Sequence, residues 1–97
     1  MALRDEYNLE NLVNETERMV FDTLEKELVE DVEGRICRCQ DCILDIAALA
    51  LNSVKPLYRV SLIGRLYAGS VDETVYADRV RLAVRAAIDK ITANPSH

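Results

Sequence analysis

The chain has 97 residues, three cysteines, no tryptophan, one phenylalanine and a net charge of −5, which is enough for one small domain with a thin stability margin. The charge is uneven: residues 1–34 hold eleven acids against Arg4, Arg18 and Lys26, a local balance of −8, so the remainder carries +3. An acidic leading segment argues against a protein that coats nucleic-acid polymers, because phosphate binding needs a continuous basic face, while the basic remainder can still hold a small anion. The longest apolar stretch, Ile43 to Leu51, is interrupted by Asp45 and is too short to span a bilayer.

Ala, Leu, Val and Glu dominate and only three glycines occur, a composition that predicts an all-α fold. We expect one domain over 1–97 with its core between about 8 and 93. In the first predicted element, residues 8–31, Leu9, Leu12, Val13, Thr16, Met19, Val20, Leu24 and Leu28 recur at steps of three and four, an amphipathic helix. Asn8 is its expected N-cap and Gly34 its stop. A second helix is expected over 41–53, capped by Asp41, with Ile43, Ile46, Ala47, Ala50, Leu51 and Val54 on one face and a break before Pro56. Being apolar on most sides, it should be the central, most buried helix. Residues 55–69 have no clean period and read as a connector with one helical turn or a short extended piece. Ser70 and Glu73 match a capping box. The third helix follows, its inward stripe Tyr76, Val80, Ala83, Val84, Ala87, Ile88 and Ile91, and Asn94-Pro95 closes it.

Cys37, Cys39 and Cys42 place three thiols within six residues at the start of a helix, where exposed amides and the helix dipole favour thiolate. Such a cluster suits Zn²⁺, which takes sulfur ligands at about 2.3 Å. A redox-active thiol group and plain core packing are the competing readings. An iron–sulfur centre fits less well, since such clusters use four ligands. The fourth position on zinc is open to Asp41, Asp45, His97, a water or a group from a second subunit. His97, the only histidine, reads as a frayed chain end. No neighbouring pair reads as base and electrophile, so no catalytic residue is assigned and the chain is expected to be non-enzymatic. An odd number of cysteines and an acidic start without a hydrophobic run predict a cytoplasmic protein with reduced thiols.

Asp45 and Asn52 lie seven residues apart and so share a face of the second helix. Asp45 can steady the cysteine loop or pair with Arg38 or Arg79, and Asn52 can cap the helix end.

The run from Cys37 to Tyr58, read as C-x-C-x-x-C-x-x-D-I-x-A-x-A-L-N followed by P-x-Y, resembles the signature of the late competence development protein family ComFB. The acidic helix before it, with Asn11, Asn14 and Glu15, and the Ala-rich helix after it fit the same plan. The resemblance implies a small α-helical homodimer that holds zinc through the cysteines, has no known enzymatic activity, is linked to competence operons and in some relatives is linked to sensing cyclic dinucleotides. Some relatives carry a further downstream cysteine, which this chain lacks.

Three functions follow as expectations. One is a receptor for cyclic di-GMP or cyclic di-AMP, whose phosphates and purines call for arginines and aromatic faces on a two-fold axis. Its candidate residues are Arg35, Arg38, Lys55, Tyr58, Arg59, Arg65 and Tyr67; each can equally be a solvated loop charge or a core-edge anchor. The second is an interaction module with structural zinc that docks a regulatory protein partner in competence control. The third is a cysteine-based redox sensor. Leftover apolar surface on the second helix predicts a homodimer.

Overall fold

The computed structural model describes residues 2–60 and 73–95. Over these the chain is mostly helical: a single turn, α1 (Leu3–Glu6), then α2 (Glu15–Glu30), α3 (Gln40–Asn52) and α4 (Glu73–Ala93), with two-residue strands β1 (Val13–Asn14) and β2 (Tyr58–Arg59). The strands pair antiparallel, Val13 opposite Arg59 and Asn14 opposite Tyr58. The all-α expectation holds.

The core forms where the three long helices cross. Val20 and Leu24 come from α2, Ile46 and Ala50 from α3, and Tyr76, Val80, Val84, Ala87 and Ile88 from α4, with Ile36 closing one end. Alanines at 47, 50 and 87 are buried and let the helix backbones approach closely. Each buried Val, Leu or Ile contributes about 1.5–3 kcal/mol, so burial of these three stripes is the main force that holds the helices together. Among the described residues no helix is long and apolar enough to cross a membrane.

Two expectations are corrected. The first helix starts at Glu15, not near Asn8. Leu9 and Leu12 are exposed and meet no core, while Asn8 Oδ1 accepts the Glu10 amide at 2.9 Å in a local turn. Asn14 is the N-cap, accepting the Thr16 amide at 3.2 Å. The helix ends at Glu30 because Asp31 turns its carboxylate to the amides of Arg35 (3.1 Å) and Ile36 (2.9 Å); Gly34, with φ +69°, lies in the turn that follows. The second correction concerns α3. Its buried face is Cys42, Ile46, Ala47 and Ala50, but Leu44, Asp45 and Ala48 are exposed, because only α2 and α4 cover it. Its N-cap is Cys39 rather than Asp41, which sits in the first turn.

The Lys55–Leu57 segment is locked onto the bundle. Glu15 N–H donates to Leu57 O at 2.7 Å, and Leu57 N–H donates to Asn14 Oδ1 at 2.9 Å. Thr16 Oγ1 donates to Lys55 O at 3.0 Å, and the Tyr76 hydroxyl bonds both Thr16 Oγ1 and Lys55 O. Thr16, fully buried, is thus the polar member of an otherwise apolar stripe, and its hydroxyl is satisfied as burial requires. The expected capping box at Ser70 lies outside the described residues. Helix α4 ends as expected, with Asn94 N–H on Lys90 O at 3.1 Å.

Candidate metal centre

The cysteines sit in the loop between α2 and α3 and in the first turn of α3. Two devices shape this loop: the Asp31 carboxylate on the Arg35 and Ile36 amides, and Arg38 Nη2 donating to Leu28 O at 2.6 Å. Ile36 is buried in the core and pins the approach to Cys37. The sulfur of Cys39 accepts the Cys42 amide at 3.3 Å, so one thiol caps the helix that carries another.

The result brings Cys37, Cys39 and Cys42 together, with sulfurs all within 4.8 Å of one another. A tetrahedral zinc with bonds of about 2.3 Å places its sulfurs roughly 3.8 Å apart, so closure on a metal needs at most about 1 Å of contraction. Soft donors, this spacing and amide support fit a thiophilic metal. Asp41 and Asp45 are both exposed, and neither joins the group of three among the described residues. Arg38 is engaged with Leu28 rather than with Asp45, and Asn52 is exposed while Ser53 Oγ bonds Leu49 O at the helix end.

The thiols differ electrostatically. The Cys39 amide and the neighbouring thiols pull Cys37 below the usual thiol range against the opposing effect of burial. Burial pushes Cys42 up to about 12, reinforced by the two neighbouring thiols. Metal binding at Cys42 therefore displaces a proton held near neutral pH.

The candidate ligand residues divide into two groups. Arg35, which pairs with Glu33 at 2.9 Å, and Arg38 lie before α3; Lys55, Tyr58 and Arg59 lie beyond its other end, about 20 Å away along thirteen residues of helix. Lys55 and Tyr58 are exposed, and Arg59 is half-buried in an ion pair with Glu15, which also pairs with Arg18. Burial works to raise the Glu15 carboxyl, but the two guanidiniums outweigh it and hold it below the usual range. Beside this group, Val54, Pro56, Leu57 and Leu82 line an apolar cleft of about 660 Å³ with Lys55 and Arg79 among its polar residues. Arg65, Tyr67 and His97 lie outside the described residues. Asp31 was not foreseen as a site-shaping residue, although an aspartate among turn formers four residues before Arg35 is the pattern that such a turn leaves.

Helical packing around a three-thiol loop defines a small α-helical domain with a candidate soft-metal centre. The model of the late competence development protein ComFB family matches residues 13–95. The chain therefore belongs to that family, and the match takes in the cysteine loop and all three long helices. No curated protein and no solved structure matches it.

Proposed function

We propose that the protein is a non-enzymatic, zinc-binding regulator of the ComFB type, acting as a homodimeric receptor for a cyclic dinucleotide such as cyclic di-GMP or cyclic di-AMP. The observation that carries the metal part is the convergence of three sulfurs within 4.8 Å on a loop shaped by Asp31 and Arg38. With zinc bound, Cys37, Cys39 and Cys42 hold it as a structural ion, and the metal links the α2–α3 loop to α3.

The receptor part is supported by the far end of α3. Tyr58, 62% exposed, offers a face for a purine, and Lys55 and Arg79 bring positive charge to an apolar cleft, the combination that base stacking and phosphate binding need. In a two-fold dimer these groups occur twice, matching the ligand's symmetry. Titration calorimetry with cyclic di-GMP and with cyclic di-AMP tests this. We expect saturable binding to one of them, lost in Tyr58→Ala or Lys55→Ala. Absence of binding to both by a folded, zinc-loaded protein rejects the receptor. Sedimentation equilibrium at low micromolar concentration tests the dimer, which a clean species near 11 kDa removes.

A protein-interaction module is the second reading. Phe21, Val29 and Val32 are exposed on and just after the acidic α2, an apolar set that suits docking to a protein.

A further inference from the structure

We propose that Cys39 and Cys42 form a reversible disulfide under peroxide, a redox switch that breaks up the three-thiol donor set and leaves Cys37 as the remaining thiol. The disulfide stands on the thiols alone; release of zinc as its consequence rests on the zinc reading above. Convergence of the three sulfurs within 4.8 Å of one another is the precondition, since a disulfide then needs only a short further approach of two of them.

The backbone selects the pair. Cys39 is the N-cap of α3 and Cys42 lies in its first turn. Cys39 O already accepts the Ile43 amide at 3.1 Å, so both residues sit on the helical spiral. Three residues along that spiral put two Cα atoms about 5 Å apart, inside the range of about 4.4–6.8 Å that a disulfide spans. The Cys39 sulfur is turned over the helix end, where it accepts the Cys42 amide at 3.3 Å. Cys37 lies in the loop before the helix, where no helical turn sets its spacing to either of the others. Burial then divides the roles. Cys39 is half-buried and Cys42 is 1% exposed, so a solvent oxidant meets Cys39, and Cys42 is reached from the neighbouring sulfur.

The Cys39 sulfur, as thiolate, attacks one oxygen of hydrogen peroxide; the O–O bond breaks, hydroxide leaves and a sulfenic acid remains. The Cys42 sulfur attacks the sulfur of that acid, the S–O bond breaks, and the departing oxygen takes the Cys42 proton and leaves as water. The hydroxide takes up the proton that Cys39 gave off. Two thiols and one peroxide thus become one disulfide and two waters, the sulfurs losing the two electrons that peroxide gains. Two of the three metal donors are consumed, and the loop between α2 and α3 is no longer tied to α3 through a metal.

Tryptic mapping after hydrogen peroxide and iodoacetamide tests this on zinc-loaded and metal-free protein. Cleavage at Arg35, Arg38 and Arg59 places Cys37 in residues 36–38 and the other two cysteines in residues 39–59, because Pro56 protects the bond after Lys55. We expect the 39–59 peptide to be unalkylated and lighter by two hydrogens, the 36–38 peptide to be alkylated, and the bound zinc to pass to a chromogenic chelator. Dithiothreitol should reverse the mass change and restore zinc uptake, and Cys37→Ser should still form the disulfide. Peptide 36–38 joined to 39–59, peptide 39–59 alkylated on both cysteines after peroxide, or zinc retained under peroxide overturns the switch. A chain that binds no zinc yet closes the Cys39–Cys42 disulfide refutes the zinc reading and upholds the disulfide.

Discussion

At its C-terminal end α3 runs into Lys55–Leu57, where the hydroxyls of Thr16 and Tyr76 and the amide oxygen of Asn14 take up the backbone groups of the segment. At its N-terminal end the loop carrying Cys37 is also held by side chains on backbone, Asp31 on two amides and Arg38 on a carbonyl, but there three sulfurs converge on one point. The first end is complete within the chain: among the described residues no buried side-chain nitrogen or oxygen lacks a partner. The second is complete as a scaffold and brings three potential metal donors to one point. If the thiols hold a metal as proposed, one small bundle separates intrinsic stability from stability that depends on that metal, and perturbing one end should leave the other unchanged.

The largest effect is expected at the thiol end. Protein purified without chelator should hold close to one zinc per chain by elemental analysis, and Cys39→Ser should abolish it. Binding free energy at such a site is folding free energy, with apparent values of about 10–16 kcal/mol in zinc-finger peptides, so the melting temperature should drop by many degrees. Here the helical core remains as support, and the loss should stay below that range. Full zinc retention by the variant contradicts the assignment. The proton held by Cys42 adds a sign: acidification opposes metal uptake, so zinc affinity should fall as pH falls.

The clamp end predicts a smaller and metal-independent effect. Tyr76→Phe removes the hydroxyl shared with Thr16 and Lys55 O but keeps the buried ring, which should cost about 1–3 kcal/mol in chemical denaturation. The loss should be equal with and without zinc. If instead it appears only in the zinc-loaded protein, the two ends are coupled and the separation fails.

Asp31→Asn is the next smaller test, done on chelated protein so that metal release does not interfere. The Ile36 amide, followed by the Arg35 amide and the nearby guanidiniums, holds the Asp31 carboxyl below its ordinary value of 3.8, outweighing the effect of burial. A depressed carboxyl contributes stability that is present above pH 3.8 and is lost as pH falls through its folded value. The difference in melting temperature between wild type and variant should therefore be constant near neutrality and shrink below about pH 4. A difference independent of pH shows that the charge of Asp31 plays no part in holding the loop.

The two ends were unequally legible in the sequence. The thiol end announces itself because three identical, uncommon residues recur within six positions and metal chemistry explains that spacing. Helices α3 and α4 were equally plain, since Pro56 and the Ala-rich stripe fix one boundary and one face. The clamp was not legible, because Thr16 falls in register with the apolar stripe and its partner Tyr76 lies sixty residues away; periodicity reports a face, not the hydroxyl across it. The same periodicity carried the first predicted helix back through Leu9 and Leu12, which keep the spacing but have no helix opposite them to bury against. Asp45 and Asn52 share a face as expected, yet that face is the exposed one, which only the placement of α2 and α4 decides.

The smallest effect concerns Arg59, which stands between the clamp and the proposed ligand cleft. Its guanidinium is 27% exposed and paired with Glu15, whose side chain is 14% exposed and also pairs with Arg18. If Arg59 serves only the fold, Glu15→Gln should change stability by no more than about 1 kcal/mol, as expected for ion pairs near the surface, and leave nucleotide binding unaltered. If Arg59 also reaches a ligand phosphate, its carboxylate partner competes with that phosphate for the same donors. Glu15→Gln then removes the competitor while keeping an acceptor of similar size, and the affinity for the cyclic dinucleotide should rise a few-fold. Since the competition is ionic, the gain should shrink in high salt as screening weakens both pairings. Calorimetry of Glu15→Gln and Arg59→Ala side by side separates the cases: tighter binding in the first with weaker binding in the second makes Arg59 a ligand residue, and no change in either confines it to holding β2 against the start of α2.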